Sequence, residues 1–200
     1  MKNKVLFTVI AAAALTSACN NKAQQEAPVS QADTLETVED KNATVFGMCG
    51  DGSAMNTLQL IADNGDTLVL GLEEAHENNK VFGGYGCGDR MAVVLNDDKT
   101  EAELVINETT LLGNWLMPNP FDGSSVVGIS LKDGGVAESI DQSGLNYKSW
   151  KIADGKLEIV SVREGGSEED ETDIYEIRKL DADSLVFGNE DDVFEYGRQK

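Results

Sequence analysis

From Val45 onward the chain is a succession of mostly short apolar runs punctuated by Gly, Asp and Asn. That punctuation constrains the fold more than any other feature. Apolar runs of about four to eight residues between turn formers read as strands, because a buried helix needs roughly ten or more. Asp63-Asn64-Gly65-Asp66 stands between Leu58-Gln59-Leu60-Ile61 and Thr67-Leu68-Val69-Leu70. Asn-Gly in that setting is the strongest short hairpin signal, and it predicts positive φ at both central residues. Asp133-Gly134-Gly135 and Asp154-Gly155 repeat the pattern, and Asp181-Ala182-Asp183 is a softer turn. Proline, which cannot donate to a ladder, is nearly absent from the runs. Only Glu73 to Asn78 reads as helical, for one or two turns. The expected class is all-β.

Two units follow from the spacing. Residues 44–107 offer five strands, at 44–49, 57–62, 67–72, 89–95 and 102–107. Five strands with a short helix after the third fit a small barrel of OB or SH3-like type. Residues 111–200 offer eight: 113–117, 125–131, 136–140, 146–152, 156–163, 172–179, 184–188 and 193–198. Eight up-and-down strands can close a barrel, which removes exposed edges and leaves room for one small ligand.

Gly113-Asn114-Trp115 heads the first of these eight strands. Farther on come Gly134-Gly135-Val136-Ala137-Glu138-Ser139-Ile140, Tyr147-Lys148-Ser149-Trp150-Lys151 and Asp173-Ile174-Tyr175-Glu176-Ile177, then the run from Leu180 to Val186. Together these resemble the lipocalin-like domain of Gram-negative envelope lipoproteins, with Gly-any-Trp as the lipocalin signature. The resemblance implies that a late Arg packs across the signature Trp, which gives Arg198 the part of a barrel lock over Trp115. It implies Trp115, Tyr147 and Trp150 as barrel lining. Regular strand alternation puts Tyr147 and Trp150 on opposite faces, so one of them would point outward. A barrel this short is either open to a ligand or filled by its own aromatic side chains.

The N-terminus gives an address. Lys2 and Lys4 precede an apolar stretch from Val5 to Leu15, too short to span a bilayer as a helix. Leu15-Thr16-Ser17-Ala18-Cys19 resembles a bacterial lipobox, with Thr16 where Leu is usual. That resemblance makes residues 1–18 a lipoprotein signal peptide and Cys19 the acylated first residue, bearing palmitate or a similar chain. Asn20 in place of Asp points to the outer membrane, and the lack of an acidic run behind it to the periplasmic face. Residues 19–43 are rich in Gln, Ala, Asn, Glu and Thr without an aromatic, the composition of a flexible tether.

Charge excludes whole classes of partner. With 36 acidic and 16 basic residues the chain carries −20, so nucleic acid and anionic headgroups find no basic face. Once Cys19 is acylated, Cys49 and Cys87 are the remaining thiols. An oxidising compartment favours a disulfide between them, and two separate buried thiols are the alternative. His76, the single His, lies in Glu73-Glu74-Ala75-His76-Glu77. Zinc would need ligands from elsewhere, so an exposed surface His is expected. Glu168-Glu169-Asp170-Glu171 reads as a solvated hairpin loop, lacking the spacing of a calcium loop. Gly83-Gly84-Tyr85-Gly86-Cys87-Gly88 is not followed by a helix-opening Lys-Ser or Lys-Thr, so it reads as a mobile loop and not a phosphate cradle.

No catalytic residue, metal or cofactor is expected. The functional expectation is a lipid-anchored envelope protein whose barrel binds a small apolar or amphipathic ligand. The alternative is an envelope protein–protein interaction module built from filled barrels.

Overall fold

The computed structural model describes residues 43–165 and 169–200. The signal-like segment, Cys19, the tether up to residue 42 and Glu168 lie outside the described residues.

Strands β1 (Thr44–Cys49), β2 (Thr57–Ala62) and β3 (Thr67–Gly71) form a meander, followed by helix α1 (Glu73–Glu77). Then come β4 (Val81–Phe82), β5 (Arg90–Leu95) and β6 (Ala102–Asn107). They make one six-stranded sheet in the order β3-β2-β1-β5-β6-β4. The β2–β3 turn corrects the expectation for Asn64-Gly65. Only Gly65 takes positive φ, at 93°, while Asn64 bonds Asp66 through both its side-chain oxygen and its amide. The turn therefore needs only one left-handed residue, which Gly supplies without a Cβ penalty. At Asp154-Gly155 both residues are left-handed, at 49° and 69°.

Strand β5 is buried on both faces, which explains its unbroken apolar run. Met91 and Val93 join Leu58, Leu60, Leu70 and Val105 in one core. Ala92 faces a second core, shared with the rest of the chain.

Helix α2 (Glu108–Leu111), capped by the Asn107 side chain, leads into β7 (Gly113–Pro118). There follow β8 (Val126–Lys132), a 3-10 turn (Asp133–Gly135), β9 (Val136–Ile140) and β10 (Leu145–Ala153). Strands β11 (Lys156–Arg163), β12 (Glu171–Leu180), β13 (Ser184–Gly188) and β14 (Val193–Arg198) complete the chain. These eight strands form a closed barrel. Every pairing is antiparallel, and closure comes from β14 on β7, with Arg198 opposite Trp115.

The barrel has two unlike ends. At one, the β10–β11 hairpin meets the sheet: Gly155 N–H donates to Thr44 Oγ1 at 2.9 Å. A Cβ at Gly155, which also has a positive φ, would lie 2.5 Å from Leu104 Cδ2, so any other residue would have to push that side chain aside to seat the hairpin there. Gly83 N–H donates to the Leu180 carbonyl, again at 2.9 Å. Phe82, Ala92, Ile106 and Leu111 pack into the same core as Trp115, Trp150, Leu157 and Phe187. The sheet thus closes one end of the barrel. The other end carries the connections from Pro118 to Val126, Ile140 to Leu145, Arg163 to Glu171 and Gly188 to Val193.

The Gly-rich segment is held and not free. Asn107, 1% exposed, donates to the carbonyls of Gly83 and Gly84 and to Asp89, and Thr110 Oγ1 donates to Gly83. Cys49 and Cys87 are both free thiols, so the expected bridge is not formed. Cys49 is buried with Sγ 3.2 Å from Ser53 Oγ, whereas Cys87 is exposed on its turn. Even Cys counts say nothing about side-chain direction, which decides bridging.

Candidate functional site: the barrel interior

The interior is built by alternation along each strand, and its closed end is solid. Trp115 is fully buried on β7, its indole N–H donating 2.8 Å to the Leu111 carbonyl. Arg198 on β14 lies over the Trp115 ring, 4.0 Å from guanidinium carbon to centroid. Its fork donates to the carbonyls of Ala182, Leu112 and Thr110 at 2.6, 2.7 and 2.5 Å. A planar guanidinium satisfies all three and still covers the ring, which a lysine ammonium does not. Ile129, Leu131, Leu157 and Phe187, each at most 1% exposed, fill the space above.

Trp150 also sits near this end, 6% exposed, with its indole N–H on the Lys132 carbonyl at 2.9 Å. Tyr147 lies toward the other end, yet both residues face the interior. The alternation is broken by a register shift between Tyr147 and Ser149. Tyr147 pairs with Ser161 and Trp150 with Ile159, both interior positions, while Lys148 is the unpaired extra residue, exposed and paired to Asp170. A β-bulge of this kind inverts the facing of everything after it. Neither aromatic points outward.

Above that filled floor the interior holds a tyrosine cluster. Tyr175 on β12 lies with its ring 5.1 Å from Phe187 and 5.7 Å from Phe194. Tyr196 on β14 stacks on Phe187 at 5.5 Å. Burial pushes the Tyr147 phenol up, an effect offset by hydrogen bonding with Tyr196 and Gln142. Burial raises Tyr175 far above its ordinary value, and the Asp173 carboxylate raises it further. Tyr196 is raised in the same way, by burial and by its tyrosine neighbour. These hydroxyls are therefore neutral hydrogen-bonding groups, not bases. Gln142 Oε1, beside them, is buried and has no partner. Buried acceptors usually find a donor, so an orphan here marks a place where one would be stabilising.

The structure thus brings Trp115 and Arg198 together and sets Tyr147 at the far end from them. Tyr175, Tyr196, Asp173 and Gln142 were not anticipated. The alternation Asp173-any-Tyr175 and Phe194-any-Tyr196 marks three of them, while Gln142 sits in a turn and carries no sequence signal. His76 is exposed on α1. Glu171 pairs with Arg163 at 2.9 Å.

An eight-stranded antiparallel barrel, locked at one end by an Arg–Trp pair and carrying a tyrosine cluster inside, has the closed frame of a small up-and-down β-barrel. Residues 107–199 match the family model described as lipocalin-like, and this part of the chain belongs to that family. A lipocalin-like protein of known structure from Bacteroides thetaiotaomicron VPI-5482 is 35% identical, over 45% of this chain and 97% of that one, with a TM-score of 0.41. No curated protein matches.

Proposed function

We propose that the chain is a non-catalytic, lipid-anchored cell-envelope protein whose barrel takes a small amphipathic ligand at its tyrosine-lined end. The tyrosine cluster carries this reading. Three neutral phenols and an unpartnered Gln142 oxygen sit with Ser161 and the Asp173 carboxylate among aromatic and aliphatic side chains. A ligand with an apolar body and one or two hydroxyl or amide groups satisfies both. The closed end is filled, so the ligand is shallow and reaches the tyrosines from the end away from the sheet. In this reading Cys19 is acylated, residues 19–43 are the tether, and the protein is held at the outer membrane facing the periplasm. The 44–107 unit is read as a small barrel of OB or SH3-like type, supported by a parallel bridge from Gly71 on β3 to Glu101 before β6.

Full burial of Trp115, Phe187 and Leu157 favours one alternative, a filled barrel that serves as a partner-binding module. Native mass spectrometry of the protein purified from its own envelope in maltoside separates the two. The carrier reading expects an acylated Cys19 and a second, non-covalent mass lost on denaturation. Changing Tyr147 and Tyr196 together to Phe should reduce its occupancy. A bare acylated mass, even after incubation with an envelope extract, overturns it.

A further inference from the structure

A cavity of about 630 Å³ lies where the sheet meets the closed end of the barrel. Phe46 and Met48 of β1 form one wall, Leu112 adjoins them, and Trp150 and Ile152 of β10 form the other. The volume is that of a small-molecule site, and junctions between structural units are where such sites concentrate. Its polar groups are Arg90, Glu108, Thr109, Asp133 and Lys151.

The cations of this cavity are already engaged. Arg90 lies over the Phe46 ring at 5.7 Å and is held by both Asp63 oxygens, at 2.5 and 2.6 Å. Lys151 pairs with Glu158 at 2.7 Å. The carboxylates are less well matched. Glu108, with only 16% of its side chain exposed, has one 3.3 Å contact to Arg90 Nε. Asp133 accepts the Gly134 N–H and has no ion-pair partner among the described residues. Around Arg90, then, one guanidinium serves two carboxylates, and Asp133 adds a third negative group. Burial raises the Glu108 carboxyl above its ordinary range despite Arg90, and Asp63 and Asp133 add to the effect. A carboxylate sunk beside other carboxylates is stabilised by an added cation.

From this geometry we infer that the junction cavity is a second binding site, for a small cationic amphiphile. The ammonium group lies between Glu108 and Asp133, and the apolar body lies along Phe46, Met48 and Leu112. An anionic or neutral molecule of the same shape meets the same apolar walls but an unfavourable or indifferent polar rim. The site is separate from the tyrosine end of the barrel and does not depend on ligand binding there.

Three isosteric probes test it: 3-phenylpropylammonium, 3-phenylpropan-1-ol and 3-phenylpropanoate, titrated into the full chain in maltoside by calorimetry. The ammonium is expected to bind tightest and the carboxylate weakest. Asp133→Asn and Glu108→Gln should each weaken the ammonium about fivefold, the scale of one partly screened charge pair, and narrow the preference. Asp133 is exposed, so its variant should fold. Met48→Trp, at a position 39% exposed, should fill the cavity and abolish binding of all three. Equal affinity for the three probes overturns the assignment. So does a preference unchanged in both carboxylate variants, or binding that survives Met48→Trp.

Discussion

Arg198 covers Trp115 at 4.0 Å while its three donors end on the carbonyls of Ala182, Leu112 and Thr110. One side chain therefore ties the last strand, the turn before β13 and the α2–β7 connection to the barrel floor. Arg198→Ala should cost about 2–4 kcal/mol, from a cation–π contact and charged hydrogen bonds that are not additive. Arg198→Lys should recover only part, since an ammonium cannot reproduce the fork. Urea unfolding checks both. A loss of less than about 1 kcal/mol for the Ala variant would show that the floor does not depend on the pair.

The bulge at Lys148 brings Tyr147 and Trp150 to the same face. Deleting Lys148 and Ser149 together leaves Tyr147 and Trp150 adjacent, and regular alternation must then turn one of them outward. Removing a large aromatic from a core costs about 3–5 kcal/mol, so the deletion should lower the melting temperature sharply or prevent folding. Lys148→Ala keeps the bulge, loses only an exposed ion pair and should be nearly neutral. Near-UV circular dichroism and thermal unfolding distinguish them. Equal behaviour of the two variants would mean that the bulge does not decide facing.

Asp63 and Glu108 share Arg90 but titrate in opposite directions. The hydrogen bond from Arg90 holds the Asp63 carboxyl below its ordinary value. Burial holds the Glu108 carboxyl above its own. Asp63 therefore contributes stability above its unfolded pKa, and the contribution is lost as pH falls through the lowered folded value. Glu108 behaves in reverse. Its ionised form costs stability above the raised folded value, and the cost disappears as pH falls below the unfolded value of 4.5. Carboxyl-carbon NMR should find Glu108 titrating first on acidification and Asp63 last. The reverse order would contradict the burial of Glu108.

Cys87 is exposed and Cys49 buried, both as thiols. A maleimide probe on natively folded protein should modify Cys87 quickly and Cys49 only after denaturation. Mass analysis of the labelled peptides reads this directly. Failure of Cys87 to react without prior reduction would show that it is oxidised in the isolated protein.

The strand boundaries were legible because they are local. Gly65, Asp154-Gly155 and the 133–135 turn end runs that no neighbouring residue could extend, and the observed strands differ from the expected ones by a residue or so. The two-residue β4 was invisible, because Val81–Phe82 is a strand only by virtue of its parallel pairing with β6. The Arg198–Trp115 lock was legible through family resemblance. Its three carbonyl acceptors were not, since they come together only when the barrel closes.

By itself the sequence determined an all-β chain, the number of barrel strands, the acidic character and the Gly-any-Trp start. All of these follow from short-range chemistry: turn conformations, side-chain alternation and charge. Tertiary structure decided which end of the barrel is sealed, that Tyr147 and Trp150 share a face, that Cys49 and Cys87 stay apart, and that Glu108 is sunk beside Asp133. Each of those depends on registers and packing between segments far apart in the chain. A bulge of one residue or a hairpin seated on a sheet changes side-chain surroundings without changing any local propensity.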